Sequence, residues 1–138
     1  NPEIYNDCWI NVITEAYAHE EIDLFITEKT FKPMLQLQPF LLIGNKGSLG
    51  YLRDMGYKTF DSLWSERYDK FETVQDRTDA VIRNLKQWCA LTQEEKQTKI
   101  KSVWNDLLHN QEMVCNTQRD VTRSAYLLEI LSAMSVGG

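Results

Sequence analysis

Through its first sixty residues the chain alternates apolar runs of strand length with polar turns. After that the apolar positions fall at helical spacing. Residues 8–14, Cys-Trp-Ile-Asn-Val-Ile-Thr, are rich in β-branched and aromatic side chains and predict a first strand. An acidic loop with Glu20, Glu21 and Asp23 follows, and Leu24-Phe25-Ile26 reads as a short strand or as an extended entry to the next helix. Thr27 suits the N-cap of that helix. Pro33 leaves two solutions: a start near Phe31 with the proline in the first turn, or a start at Glu28 with a kink. Either way the helix is expected to run through about Gln38. Residues 39–44, Pro-Phe-Leu-Leu-Ile-Gly, are apolar on both alternating faces, as in a strand covered on both sides. Ser48 is expected to cap a helix through Met55 that Gly56 ends in a left-handed conformation, and residues 57–60 predict a third short strand.

The strand–helix–strand links predict an α/β fold: a small parallel Rossmann-like sheet with right-handed crossovers, in two or three layers, with flanking helices. The remainder predicts a helical C-terminal section. One helix spans 74–91 with Val74, Ala80, Val81, Leu85 and Trp88 at helical spacing. A second opens with the capping box Thr92-Gln93-Glu94-Glu95 and carries Ile100, Val103, Trp104 and Leu107 on one face. A last helix, 116–134, places Val121, Ala125, Leu128 and Leu131 on its apolar side, and Gly137-Gly138 reads as a frayed end. The whole, 1–138, is expected to be one domain, with 1–60 its α/β part and 61–138 its helical part. So small a sheet falls short of a full dinucleotide fold, which commonly has six strands. With Asn1 rather than Met at its start, the chain reads as one half of a larger two-domain protein.

Composition narrows the function classes. A net charge of -5 argues against an electrostatic nucleic-acid binder, although Lys29, Lys32 and Lys46 could form a local basic patch. The three cysteines, Cys8, Cys89 and Cys115, are scattered, and neither His19 nor His109 has a Cys or His close by in sequence. That pattern predicts reduced thiols in a cytoplasmic protein, with no metal site. No apolar run is long enough to span a membrane.

The polar turn Thr27-Glu28-Lys29-Thr30 is the place where chemistry concentrates. A helix start with free N–H groups and an added lysine favours a phosphate. The bland alternative is an acid favoured by the helix dipole beside a solvated lysine. Glu15 reads as a strand-end charge. The turn Gly44-Asn45-Lys46-Gly47-Ser48 lacks the spacing of a phosphate loop, and a capped helix start accounts for its glycines. Glu66 and Asp69, flanking Tyr68, read as a solvated acidic turn, and Trp88 and Trp104 as core or docking residues.

The segments INVITEAY, FITEKTFKP, QPFLLIGNKGSLGYLRDMGYKTF and SERYD together resemble the C-terminal, nucleotide-sugar-binding half of GT-B glycosyltransferases, nearest to fucosyltransferase-like enzymes and their viral and bacterial relatives. Those enzymes carry a Tyr-Val-Thr-Glu-Lys segment after an earlier Phe-Glu-Asn segment. Here 25–29 matches the first closely, and 13–16 matches the second only at Glu15. The resemblance covers residues 10–69.

It implies that Glu28 accepts hydrogen bonds from the ribose hydroxyls of a nucleoside diphosphate sugar. Lys29 would hold the diphosphate with the N–H groups of the helix beginning near Thr30, and Glu15 would face the same cleft. The donor sugar would be a substrate, with no cofactor and no obligatory metal. GT-B enzymes draw the acceptor site and general base from an N-terminal half, so the isolated chain is expected to be inactive. Its expected partners are the nucleotide sugar and either that missing domain or a second copy. The alternative is a non-catalytic remnant serving as an interaction or oligomerisation module. A flavodoxin-like or response-regulator-like reading suffers from too few strands and the lack of an acidic cluster at the first strand end.

Overall fold

A computed structural model describes residues 9–15 and 26–136. The predicted start of the first strand at Cys8, the acidic loop, His19, Leu24, Phe25 and the terminal glycines lie outside the described residues.

Strand β1 (Asn11–Thr14) pairs in parallel with β2 (Phe40–Ile43), in the register Asn11↔Phe40 through Thr14↔Ile43. All four side chains of β2 are buried, as its unbroken apolar run requires. Between the strands runs α1 (Glu28–Leu35), so of the two starts open in the sequence the helix takes Glu28, with a buried Pro33 inside it. It stops three residues short of Gln38, and the stop has a chemical cause. The N–H of Leu37 bonds the Met34 carbonyl at 3.3 Å and that of Gln38 bonds the Pro33 carbonyl at 3.0 Å, closing the helix in a Schellman motif. The left-handed position belongs to Leu37, at φ 55°, where glycine is usual. A Cβ there costs roughly 1–2 kcal/mol.

Helix α2 (Ser48–Asp54) begins after Gly47, itself left-handed at φ 85°, and the chain leaves it through Gly56 at φ 97°. Ser48 is not its cap: the Ser48 hydroxyl donates to the Asn45 carbonyl at 2.6 Å. The third strand expected at 57–60 does not form, and the sheet of the described residues has two strands. In place of a neighbouring strand the segment meets side chains. The carboxamide of Asn110 accepts from the Lys58 N–H at 2.8 Å and donates to the Lys58 carbonyl at 2.9 Å, imitating a peptide group. The Phe60 N–H donates to Glu66 at 3.1 Å.

After a single 3₁₀ turn (Arg67–Lys70) come α3 (Val74–Cys89), α4 (Gln93–Ser102) and α5 (Trp104–Val136). Thr92 and Glu95 form the predicted capping box at the start of α4. The last two predicted helices divide elsewhere than expected: the break falls at Val103, and one helix of 33 residues continues from Trp104. Its first half packs on the body through buried Leu107, Asn110 and Val114, with a bond from Gln111 to the Leu35 carbonyl at 3.0 Å. Trp104 faces out, 44% exposed. From Asn116 to Ser135 every residue is exposed, so the apolar side expected at Val121, Ala125, Leu128 and Leu131 lies outside the core. The core itself is centred on β2, α2 and α3, and a chain of edge-on rings links Phe40, Phe60, Trp64 and Trp88. The fold is mixed α/β, a two-stranded parallel sheet with flanking helices and a long C-terminal helix. No helix among the described residues is long and apolar enough to cross a membrane.

Candidate functional site at the carboxyl end of the sheet

In a parallel strand–helix unit, the carboxyl end of the strand lies near the start of the following helix, and ligands of open α/β sheets bind there. Here that junction is built by Glu15, the residue that follows β1. Its side chain is buried, and its carboxylate accepts from the Thr27 N–H at 3.0 Å, the Thr27 hydroxyl at 2.7 Å and the Thr30 hydroxyl at 2.5 Å. Thr27 also caps α1 as the sequence predicts, its hydroxyl accepting from the Lys29 N–H at 3.3 Å, and the Thr30 N–H donates to the Thr27 carbonyl at 3.1 Å. Thr30 is fully buried. Glu15, Thr27 and Thr30 therefore form one hydrogen-bonded knot that pins the first turn of α1 to the tip of β1.

Glu28 and Lys29 stand on that pinned turn with exposed side chains. Neither side chain makes a hydrogen bond or ion pair among the described residues, although the Lys29 N–H bonds Thr27. Lys29 borders a hollow of about 260 Å³, together with Lys32, Pro33 and the four residues of β1. Glu28 lies outside its lining. A wider depression of about 1080 Å³ lies elsewhere, walled in part by Arg53, Lys58, Glu66, Arg67 and Lys70, and contains none of Glu15, Thr27, Glu28, Lys29 and Thr30. Size alone would favour it, but its cations are interspersed with Asp61, Glu66 and Asp106, so its charge is mixed.

The glycine turn after β2 has its anion built in. Asp69, buried, accepts from the N–H groups of Leu49 at 2.8 Å and Gly50 at 3.1 Å, and its carbonyl accepts from the Gly47 N–H at 2.8 Å. A carboxylate from the chain itself thus occupies the helix start where a phosphate loop would hold phosphate. Its neighbours do related work. The Tyr68 hydroxyl accepts from the Leu42 N–H at 3.2 Å on the side of β2 away from β1, and burial pushes that phenol above its ordinary range. Glu66 accepts from the Thr59 hydroxyl at 2.8 Å and from the Phe60 N–H, and burial raises its carboxyl above the usual value. Arg77 donates to the carbonyls of Gly44 at 3.0 Å and Phe71 at 2.7 Å, and desolvation lowers its guanidinium. Glu66 and Asp69 are therefore buried fasteners and not the solvated acidic turn the sequence suggested.

Sequence reasoning had no local signal for Asp69, which lies 20 residues beyond the amide it caps, or for Asn110, which lies 52 beyond Lys58. Among the described residues no three His, Cys, Asp or Glu side chains gather as a metal site would require. Cys89 is exposed and Cys115 half-buried, both as free thiols. Compared with known families, curated proteins and solved structures, the chain matches no family model, no curated protein and no solved structure.

Proposed function

We propose that this chain is the donor-binding half of a GT-B-like glycosyltransferase, holding a nucleoside diphosphate sugar at the first turn of α1. It would transfer the sugar only together with an N-terminal half that supplies the acceptor site and the general base. The observation carrying this reading is how polar groups are used at the carboxyl end of the sheet. The fold engages Glu15, Thr27, Thr30, Asp69 and Arg77 in internal hydrogen bonds. It leaves Glu28 and Lys29 exposed on a turn whose position is fixed from beneath. An acid placed for ribose hydroxyls and an amine placed for a diphosphate are the two groups this task needs. Because the amides of Lys29 and Thr30 already have acceptors, the negative charge of the departing diphosphate would fall mainly on the lysine ammonium.

Calorimetric titration with GDP, UDP and their sugars tests the reading. Lys29→Ala should weaken nucleoside diphosphate binding about ten- to a hundredfold, the worth of a charge-assisted hydrogen bond. Glu28→Ala should weaken nucleosides and nucleotides alike, and both variants should keep the circular dichroism of the parent. If the parent chain binds no nucleotide, or binds it equally well without Lys29, the reading is wrong.

A second reading, self-association, is favoured by the outer half of α5. The stripe that docks this helix through Leu107 and Val114 continues past the body into Val121, Leu128 and Leu131, exposed by 64%, 67% and 60%. Tyr126, Leu127, Ile130 and Met134 widen it, and a helix apolar on most sides ordinarily finds a partner surface. Sedimentation velocity should show a concentration-dependent dimer that Leu128→Asp together with Leu131→Asp converts to monomer. A parent chain that sediments as monomer across the whole micromolar range would exclude this use of the helix.

A further inference from the structure

We propose that the hollow between α1 and the outer edge of β1 seats the diphosphate, and that Lys32 is its second cation. The proposal rests on the donor-binding reading and adds a position and a residue to it. Three features of the hollow point the same way. First, Lys29 and Lys32 both border it, one helical turn apart on a single side of α1, and no acidic residue lines it. In a chain of net charge -5, an acid-free hollow with two cations on its rim is a local reversal of sign. Like charges one turn apart on a helix repel, and an anion between them removes the repulsion.

Second, the wall opposite the lysines offers donors. The N–H groups of Asn11 and Glu15 point at β2, bonding the Pro39 and Ile43 carbonyls at 2.9 Å each. By the alternation of a strand, the N–H groups of Val12 and Thr14 then point outward, toward the edge the hollow follows. The ladder of the described residues leaves that edge unpaired.

Third, the size suits a part of the ligand and not the whole. Pockets that enclose a drug-sized molecule run from about 300 to 1,000 Å³. At about 260 Å³ this one accommodates a diphosphate, with the nucleoside outside it. Glu28, beyond the lining yet adjacent to Lys29, is where a ribose leaving the hollow would meet an acceptor. An unpaired strand edge also fits an added peptide strand. The two lysines and the lack of an acid favour the compact anion.

The test is titration of the full chain with GDP, UDP, inorganic pyrophosphate and the parent nucleosides. Lys32→Ala should weaken the two nucleotides and pyrophosphate about tenfold, close to the effect of Lys29→Ala, and leave nucleoside binding unchanged. Lys32→Arg should recover most of the loss, and Lys86→Ala, on the exposed side of α3, should bind as the parent does. The loss should shrink at high ionic strength. If Lys32→Ala binds both nucleotides as tightly as the parent while Lys29→Ala does not, the seat is wrong and the donor reading stands. If pyrophosphate binds through both lysines while no nucleotide binds more tightly than pyrophosphate, the seat stands and the donor reading falls.

Discussion

Asp69→Ala is expected to lower the free energy of unfolding by about 2–4 kcal/mol, more than any other change to a charged residue outside the α1 junction. The substitution leaves the N–H groups of Leu49 and Gly50 without acceptors at a helix start where Leu49 is fully buried. It also takes a negative charge from the positive end of α2. Gly47, the residue before the helix, has no side chain with which to replace the lost cap. Urea denaturation reads the effect as a lower midpoint at unchanged slope, since no additional surface is exposed by the loss of a cap. Asp76→Ala, an exposed acid in the first turn of α3, should cost less than about 1 kcal/mol and provides the comparison. A midpoint for Asp69→Ala indistinguishable from the parent would mean that the carboxylate is not what holds the start of α2.

That effect could not be anticipated from the sequence, and the reason is general to this chain. Features governed by neighbours within four or five residues were legible: the buried run of β2, the Thr27 cap, the left-handed Gly56, and the Thr92–Glu95 capping box. Features closed by a distant side chain were not. Residues 57–60 have the composition of a strand, but a strand needs a neighbouring strand. The partners that this segment finds are two side chains, Asn110 on α5 and Glu66. Leu37 ends α1 where composition predicts continuation, because a Schellman closure with a leucine at its left-handed position has no glycine to announce it. Helical periodicity located the apolar face of α5 beyond Cys115 but could not show that the body ends before that face does. At the candidate site the division is similar. The Thr-Glu-Lys turn stood out in the sequence. That Glu15 and Thr30 lie beneath it and Lys32 beside it depends on how α1 is laid against β1.

Glu15 is where fold and site meet, and its replacement should produce the second large effect. Glu15→Ala is expected to cost about 3 kcal/mol or more, because it removes three hydrogen bonds to a carboxylate at once. The hydroxyl of Thr30, at a fully buried position, would lose the carboxylate that accepts from it. The same substitution frees the first turn of α1 from the tip of β1, so nucleotide affinity should fall as well, although the carboxylate faces inward. Two routes could produce that fall. If Glu15 acts by placing Lys29, stability and affinity decline together, and Glu15→Gln, which keeps an acceptor for the Thr27 N–H, loses less of both. If Glu15 itself touches the ligand, as the resemblance to glycosyltransferases implies, Glu15→Gln should lose affinity while denaturing at the same urea concentration as the parent. The internal bonds of the carboxylate favour the first route: all three contacts are to the N-cap and first turn of the helix that carries the lysine. Parallel denaturation and titration of the alanine and glutamine variants separate the two outcomes.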